Sequence, residues 1–289
     1  MLPSAPLVRS AINLARWLPA RAFRALATLA GTFGGTFAGS RLRIAEENIG
    51  HLQSSLTTEK RQLMARGLFR NLLQDASDLF RLPSLTKDEI RALVQPHGLD
   101  ALRQLQSEGR GVVVVTPHLG PYELGGALLA VLGFKVHGMV EDIDPDTNAA
   151  LAAYRGATGM ELVSRNSGLR QVYRLLKEGR IVLLVADRVI GEGSEGLLVP
   201  FGDAMRAIPT GPAAFAIATG SPLAIGHIVR SPTGSPRYLL HVDPPIEPEG
   251  HSRETLTRLM AARFETLIRQ HPDQWYVFQP DWHPRDAGA

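Results

Sequence analysis

The stretch from Thr116 to Gly126, "TPHLGPYELGG", combines residue types that could do acid–base chemistry. His118 follows four valines and a Thr-Pro pair, and Glu123 comes five residues later. Glu123 could accept a hydrogen bond from one imidazole nitrogen and leave the other nitrogen as a base. We therefore predict that His118 is a general base and that Glu123 orients it. The alternative is a histidine that caps a helix, with Glu123 in the first turn for reasons of the helix dipole.

The sequence gives no support for a cysteine or serine nucleophile within the protein. The chain has no cysteine, which excludes disulfides, thiolate zinc ligands and a cysteine nucleophile. No G-x-S-x-G elbow surrounds Ser194, Ser221 or Ser235, so a serine acyl-enzyme has no support. The His118–Glu123 pair resembles that of a serine protease without its serine, so the attacking group would be a hydroxyl of the acceptor substrate, deprotonated by His118 as it attacks an acyl thioester.

Glycines accompany the histidine. Gly120, Gly125 and Gly126 would let backbone or a long ligand approach closely.

The elements that must position these residues change character near residue 111. Before it, the chain reads as helical, with Thr57 or Thr58 as one cap and a capping box from Thr86 to Glu89. After it, short β-branched runs alternate with helical patterns. The predicted strands are "GVVVVTPH", "KVHGMV", "MELVS", "IVLLVAD", "SPLAIGHIV" and "RYLLHVD", and "LLVPFG" is also strand-like.

The alternation predicts an α/β fold with a mostly parallel central sheet flanked by helices and a helical N-terminal region. At 289 residues and 44% hydrophobic, one main domain is expected. We divide the chain into a basic apolar segment at residues 1–40, a domain at 41–282 and a tail at 283–289. Ligand sites in such sheets gather at the carboxyl ends of strands, where His118, Asp187 and Arg188 all lie.

The positive charge is concentrated at the N-terminus. Residues 1–45 hold six arginines and no lysine, aspartate or glutamate, while the whole chain carries +3. The longest arginine-free run there, residues 25–40, is too short and too rich in Gly and Thr for a spanning helix. The arginines that interrupt the apolar part also argue against a signal peptide.

Arg9, Arg16 and Arg24 fall near one helical face, with Leu14 and Trp17 available to another. This pattern predicts an interfacial helix on an anionic membrane surface, peripheral or monotopic on the cytoplasmic face of the cell membrane. An ordinary surface helix packed on the domain is the alternative.

Other motifs in the sequence are weaker indications of function. "GEGSEG", residues 191–196, formally fits a dinucleotide fingerprint, but it follows "ADRVI" and leads into a strand-like run, so nucleotide binding is not expected. The histidines do not form a metal site by their spacing. We expect His227 and His241 to be core or surface residues with satisfied polar atoms. Trp275, Tyr276 and Trp282 could line a lipid path, although core packing is the more frequent role.

Five ordered stretches carry a resemblance to a known family. "TPHLGPYELGG" resembles the His-x4-Asp/Glu motif of glycerolipid-type acyltransferases. Four more narrow the likeness to the lipid A acyltransferases and the related phosphatidylinositol mannoside acyltransferases, over about residues 40–282. They are "RLRIAEENIGHL", "AYRGATGMELVSRN", "LLVADRV" with the run through "GLLVPFGDAMRAIPTGPAAFAIATGSPLAIG", and "HPDQWYVFQPDW".

The resemblance implies roles for further residues. Arg155 matches an Arg-x-x-x-Gly position and could bind an acceptor phosphate or sugar, with a surface salt bridge as its alternative. Asp187 and Arg188 match a motif pair and are predicted to bind substrate. Glu192 could be a second carboxylate that orients His118, and Glu195 is its rival.

The sequence also departs from the family pattern. The closing "QPDW" lacks the strongly basic run of the lipid A branch and is closer to the mannoside branch. "MVEDID" has no arginine in the first loop, and the Phe-Phe-Gly strand is reduced to "PFG". A glycolipid acceptor is therefore favoured, without a choice between the branches.

We thus expect a membrane-associated acyltransferase that moves a fatty acyl group from acyl-coenzyme A or acyl carrier protein to a glycolipid hydroxyl. No cofactor, metal or nucleic acid is expected; Arg188 or backbone N–H groups would stabilise the oxyanion. The alternatives are a catalytically silent lipid-binding protein of the same fold and an acyl thioester hydrolase.

Overall fold

The computed structural model describes residues 5–140, 158–189 and 196–285. Two short 3₁₀ turns, Leu82–Ser84 and Pro272–Gln274, accompany the helices. The helices are α1 (Ala5–Trp17), α2 (Ala20–Phe37), α3 (Gly39–Leu52), α4 (Thr58–Leu79), α5 (Lys87–Leu93), α6 (Asp100–Ser107), α7 (Tyr122–Val131), α8 (Arg165–Lys177), α9 (Gly211–Thr219) and α10 (Arg253–Gln270). The strands are β1 (Val94–His97), β2 (Val112–Thr116), β3 (Val136–Val140), β4 (Glu161–Ser164), β5 (Ile181–Val185), β6 (Gly196–Phe201), β7 (Ala204–Pro209), β8 (Leu223–Arg230) and β9 (Tyr238–Val242).

The helix ends follow the capping signals of the sequence. Thr57 caps α4 by accepting a hydrogen bond from the backbone N–H of Lys60. Thr86 and Glu89 form the predicted capping box at the start of α5. These bonds satisfy N–H groups that have no partner inside the helix.

The main sheet has the strand order β1-β9-β8-β2-β5-β3-β4. Neighbours from β8 to β4 pair in parallel, whereas β9 runs antiparallel to β8 and β1 pairs in parallel with β9. This confirms the predicted mostly parallel sheet flanked by helices. The sequence did not predict β1, which has one buried residue. It gave "LLVPFG" as strand-like, which is where β6 lies, but it did not predict the antiparallel pairing of β6 with β7.

Both faces of the sheet are covered, which explains the uninterrupted valines of β2. Val113 and Val115 face a cluster formed with α8, α9 and α10. Val112 and Val114 face the opposite cluster, formed with α5, α6 and α7. A parallel strand buried on both faces needs apolar residues at every position rather than at alternate ones.

The N-terminal helices pack on the domain through one face of α2. Phe23 is buried there, and Arg24 forms an ion pair with Asp78 of α4 at 2.9 Å. Gly31 lets α2 approach α4 closely, since a Cβ at this position would lie 2.7 Å from the Cα of Arg70. None of the helices in the described part of the chain is long and apolar enough to cross a membrane.

Gly31→Ala should destabilise the protein because the added methyl group meets backbone of α4 that cannot move aside cheaply. We expect the free energy of unfolding to fall by about 1–3 kcal/mol, measured by urea denaturation. Gly34→Ala is the matched control, because nothing lies within 4 Å of its added Cβ. It should raise stability by about 0.5–1 kcal/mol through helix propensity. Equal effects of the two substitutions would contradict the close α2–α4 contact.

Candidate active site

Strand register brings His118 and Asp187 together. In the parallel β2–β5 pair, Thr116 lies opposite Val185. The ladder continues with the Ala186 N–H donating to the carbonyl of Thr116 at 3.0 Å. His118 and Asp187 each come two residues after these paired strand ends, so they meet just beyond the carboxyl edge of the sheet.

Asp187 is fully buried and accepts three N–H donors. Its Oδ1 receives the His118 imidazole Nδ1 at 2.5 Å. Its Oδ2 receives the backbone N–H of His118 at 2.9 Å and the indole Nε1–H of Trp275 at 2.7 Å. A buried carboxylate needs such donors, because leaving an ion without partners in a low-dielectric interior is costly.

These contacts fix the charge of Asp187 and the tautomer of His118. Burial by itself raises the pKa of Asp187, but the neighbouring imidazole and the three N–H donors outweigh it and hold this pKa well below its usual range. Because an ionised carboxylate only accepts, the imidazole carries its proton on Nδ1 in the neutral form. The Nε2 lone pair is then available as a base.

The chain near the C-terminus holds the histidine loop in place. The Tyr276 N–H donates to the carbonyl of His118, and the Gly120 N–H donates to the carbonyl of Gln274, both at 2.8 Å. Gly120 has a positive φ of 59°, and a Cβ there would lie 2.2 Å from the carbonyl oxygen of Ile228. Only glycine fits this turn, as the sequence suggested for a close backbone approach.

His118 also lines a cavity of about 520 Å³. The side chain of His118 is 12% exposed, and the ring edge of Tyr122 lies against it. Most of the cavity wall is apolar, and five glycines contribute to it: Gly125 and Gly126 of α7, Gly138 of β3, Gly211 of α9 and Gly226 of β8. The apolar side chains of the wall include Val114, Leu129, Met160, Leu162, Leu183, Ile228, Leu240 and Val242.

The predicted site residues fall into three groups. Glu123 and Arg188 line the same cavity as His118. Asp187 lies behind the imidazole, with 0% exposure, and contacts His118 directly. Arg155 and Glu192 lie outside the described residues, as does Glu195.

Sequence reasoning did not anticipate that Asp187 bonds the imidazole. A signal was present: "VVVVTPH" and "IVLLVAD" place their functional residue at the same distance from the strand start. In two neighbouring parallel strands, that equal spacing puts both side chains at one level. The order of the strands in the sheet, which the sequence does not state, was the missing piece.

Two further expectations concern residues beside His118, since Trp275 donates to Asp187 and His227 lines the cavity. Trp275 is 1% exposed and belongs to the core, as the commoner role predicted. The expectation for His227 was wrong in one respect: its buried Nδ1 has no hydrogen-bond partner among the residues that the structure describes. Burial, aided by His241, lowers the pKa of His227 to about 4. The imidazole is therefore neutral near pH 7, which makes its burial tolerable.

No cluster of three or more potential metal ligands occurs within residues 5–140, 158–189 and 196–285.

A family model for bacterial lipid A biosynthesis acyltransferases matches residues 6–284. The chain belongs to this family. With that membership it is classed as an acyltransferase.

The relatives of this family member come from both branches. A phosphatidylinositol mannoside acyltransferase of Mycolicibacterium smegmatis is 28% identical over 71% of this chain and 67% of its own length. Its Mycobacterium tuberculosis counterpart is 27% identical over 71% of this chain and 66% of its own length. The lipid A biosynthesis palmitoleoyltransferase of Escherichia coli is 23% identical over 91% of this chain and 85% of its own length. The match thus spans about two thirds of the mycobacterial relatives.

Proposed function

We propose that this acyltransferase moves a fatty acyl group from an acyl thioester to a hydroxyl of a membrane glycolipid, with His118 as general base. The observation that carries the proposal is the His118–Asp187 hydrogen bond beside an apolar cavity. Because Asp187 accepts a hydrogen bond from Nδ1, Nε2 is left as the basic nitrogen of the imidazole. The apolar wall of the cavity suits a hydrocarbon chain.

The reaction then needs no nucleophile from the protein. His118 Nε2 takes the proton of the acceptor hydroxyl as its oxygen attacks the thioester carbonyl carbon. The carbon–sulfur bond breaks when the tetrahedral intermediate collapses, and the imidazolium returns the proton to the departing thiolate. Arg188, which lines the cavity, is a candidate for stabilising the oxyanion.

The two carboxylates beside His118 receive different roles in this proposal. Asp187 holds the Nδ1 proton and favours the imidazolium that forms during the reaction, as a buried carboxylate does in a Ser-His-Asp triad. Glu123, which lines the cavity, is proposed to lie on the substrate side. Its prediction as the orienting partner is tested below.

The names of the relatives support a glycolipid acceptor. Phosphatidylinositol mannosides and lipid A are both membrane glycolipids, and the higher identity is to the mannoside enzymes. The closing "QPDW" of this chain is also closer to that branch. We therefore propose a phosphatidylinositol mannoside-like or lipid A-like acceptor, with acyl-coenzyme A or acyl carrier protein as donor.

His118→Ala should lower turnover by at least about 100-fold, because it removes the base. Asp187→Asn should lower kcat by about 10²–10⁴-fold, because an amide can present the wrong hydrogen-bonding group to Nδ1. Glu123→Gln is the matched control and should lose less. The measurement is thiol release from palmitoyl-coenzyme A, or from acyl carrier protein, with and without a total polar lipid extract. Mass spectrometry of the lipids identifies the acceptor.

The possible outcomes of this experiment distinguish the alternative functions and residue roles. Thiol release that is equal without lipid would support a hydrolase. A folded His118→Ala enzyme with full activity would refute the proposed base. If Glu123→Gln lost most activity while Asp187→Asn kept it, Glu123 would be the orienting partner. No release with either donor would favour the silent lipid-binding protein.

We also propose that this cavity, which is lined by α7, by strands of the main sheet and by the start of α9, holds the acyl chain. Its volume of about 520 Å³ lies within the range of small-molecule sites. Its glycines widen it: a Cβ on Gly126 would lie 2.8 Å from both Leu183 Cδ1 and Met160 Sδ. These contacts are the ends of flexible side chains, so a larger residue there would narrow the cavity rather than prevent folding.

Gly126→Val should therefore shift the preference toward shorter acyl chains. We expect kcat/KM for palmitoyl donors to fall about 10-fold or more relative to decanoyl donors, since roughly two or more methylenes would lose their burial. A series of acyl-coenzyme A lengths measures this. Gly67→Ala, whose Cβ would meet nothing closer than 4.0 Å, is the control. An unchanged chain-length profile in Gly126→Val would place the acyl chain elsewhere.

A further part of the proposal is that α1 and α2 dock on an anionic bilayer. We define the apolar face as Leu14 and Trp17 of α1 with Leu26, Leu29 and Phe33 of α2. Trp17 is 87% exposed and Phe33 is 63% exposed. The α2 members recur at three- and four-residue spacing, opposite the face that packs on α4. Exposed arginines in an acid-free segment make anionic lipid the fitting occupant.

Trp17→Ser with Phe33→Ser should weaken binding to phosphatidylglycerol-containing vesicles by about 10-fold or more, because each side chain loses its burial in lipid. Co-sedimentation measures the bound fraction. Leu259→Ser on α10 is the control, since Leu259 is also an exposed large apolar residue but lies on another helix. Wild-type protein that stays in the supernatant would contradict membrane docking and favour a soluble hydrolase.

A further inference from the structure

Arg206 of β7 is a fully buried cation next to the proposed catalytic pair. Its exposure is 0%. Its Nε donates to the backbone carbonyl of Asp187 at 3.3 Å. Its Nη1 and Nη2 have no hydrogen-bond partner within the part of the chain that the structure describes. An arginine in such surroundings must be balanced by an anion.

Two tryptophans enclose the guanidinium. The Arg206 Cζ lies 5.1 Å from the ring centroid of Trp275 and 5.1 Å from that of Trp282. Contacts of this kind attract a cation electrostatically to an aromatic face. Trp275 also donates its indole N–H to Asp187, so one side chain touches both the cation and the anion.

The charges of Arg206 and Asp187 act on each other. Burial lowers the pKa of Arg206, and the Asp187 carboxylate is the largest influence that opposes this. Arg206 does not line the cavity among the residues that border it. Because it is not among the described residues that border this cavity, we argue its role through Asp187 and His118.

We propose that Arg206 is a positioning residue that sets the proton affinity of the His118–Asp187 pair. This inference rests on the proposed role of His118 as base. With neutral His118 the pair carries one negative charge, and protonation of His118 neutralises it. A fixed cation beside Asp187 favours the unprotonated pair, so Arg206 keeps His118 available as a base at lower pH.

Other charged or titratable groups surround the pair. Those that line the cavity with His118 are Tyr122 and Glu123 of α7, Arg188 after β5, His227 of β8 and Arg253 of α10. Asp281, near the C-terminus, acts on Arg206 and contacts His283 at 3.3 Å. The test therefore has to change the Arg206 charge alone and leave these groups in place.

Arg206→Met should move the acid side of the kcat/KM profile to higher pH by about one unit, because the protonated pair gains stability when the cation is lost. Activity should recover as the pH is raised. Arg206→Lys retains the charge and should leave the midpoint in place. Trp282→Phe disturbs the same packing without changing charge, and should lower activity without moving the midpoint. Arg206→Gln is a second neutral variant.

Titration of His118 by NMR gives a readout that needs no substrate. Protein labelled with ¹³C-histidine has nine histidines, and His118 is assigned by its absence in His118→Ala. The midpoint should rise in Arg206→Met as it does in the rate profile. A shifted NMR midpoint in a protein without transferase activity would uphold this inference and refute the proposed function.

Two results would overturn the inference. One is loss of activity in folded Arg206→Met or Arg206→Gln with unchanged midpoints, which would make Arg206 purely structural. The other is an equal midpoint shift in Arg206→Lys, which would show that shape rather than charge matters. Because Arg206→Lys is expected to fold, the inference can fail even if both neutral variants are unstable.

Discussion

The site depends on one electrostatic constraint, which is that the carboxylate of Asp187 is ionised and has no contact with water. The groups around Asp187 stabilise its ionised carboxylate. The His118 imidazole and backbone and the Trp275 indole supply three N–H donors, and Arg206 lies close behind as a buried cation. The same bonds also orient the imidazole, because one of the three donors to the carboxylate is the His118 ring, which lines the cavity. The stability of the buried carboxylate and the proposed acid–base role of His118 would therefore rest on the same hydrogen bonds.

The sequence predicted the parts of this arrangement that depend on local patterns. The strand "VVVVT", the cap at Thr86 and the position of His118 after a strand end all follow from residue types and spacing. The partner of His118 does not, because pairing of β2 with β5 brings together residues that are 69 positions apart. Glu123 was near in sequence and of the right type, so it was the natural prediction. The spacing between His118 and Glu123 carries no information about Asp187, the carboxylate that follows the neighbouring strand β5.

The burial of Arg206 against Trp275 and Trp282 was not predicted from the sequence, for a related reason. β7 belongs to a separate two-stranded sheet, and Trp275 and Trp282 come from the segment after α10. An arginine in "AMRAIP" reads as a surface residue, since arginine is almost never fully buried unless paired. Only the folded arrangement shows that the chain near the C-terminus covers it.

That closing segment also joins the loop that carries His118 to the helices that carry the apolar face. Tyr276 donates its backbone N–H to His118, and its hydroxyl donates to the buried Asp75 of α4. On the same helix, Asp78 receives Arg24 of α2. A continuous set of hydrogen bonds thus runs from α2 through α4 to the backbone of His118. If α1 and α2 rest on a bilayer, the base is held at a fixed position relative to that surface. For an enzyme whose acceptor lies in the membrane, such a fixed position would contribute to catalysis through the orientation of the two substrates.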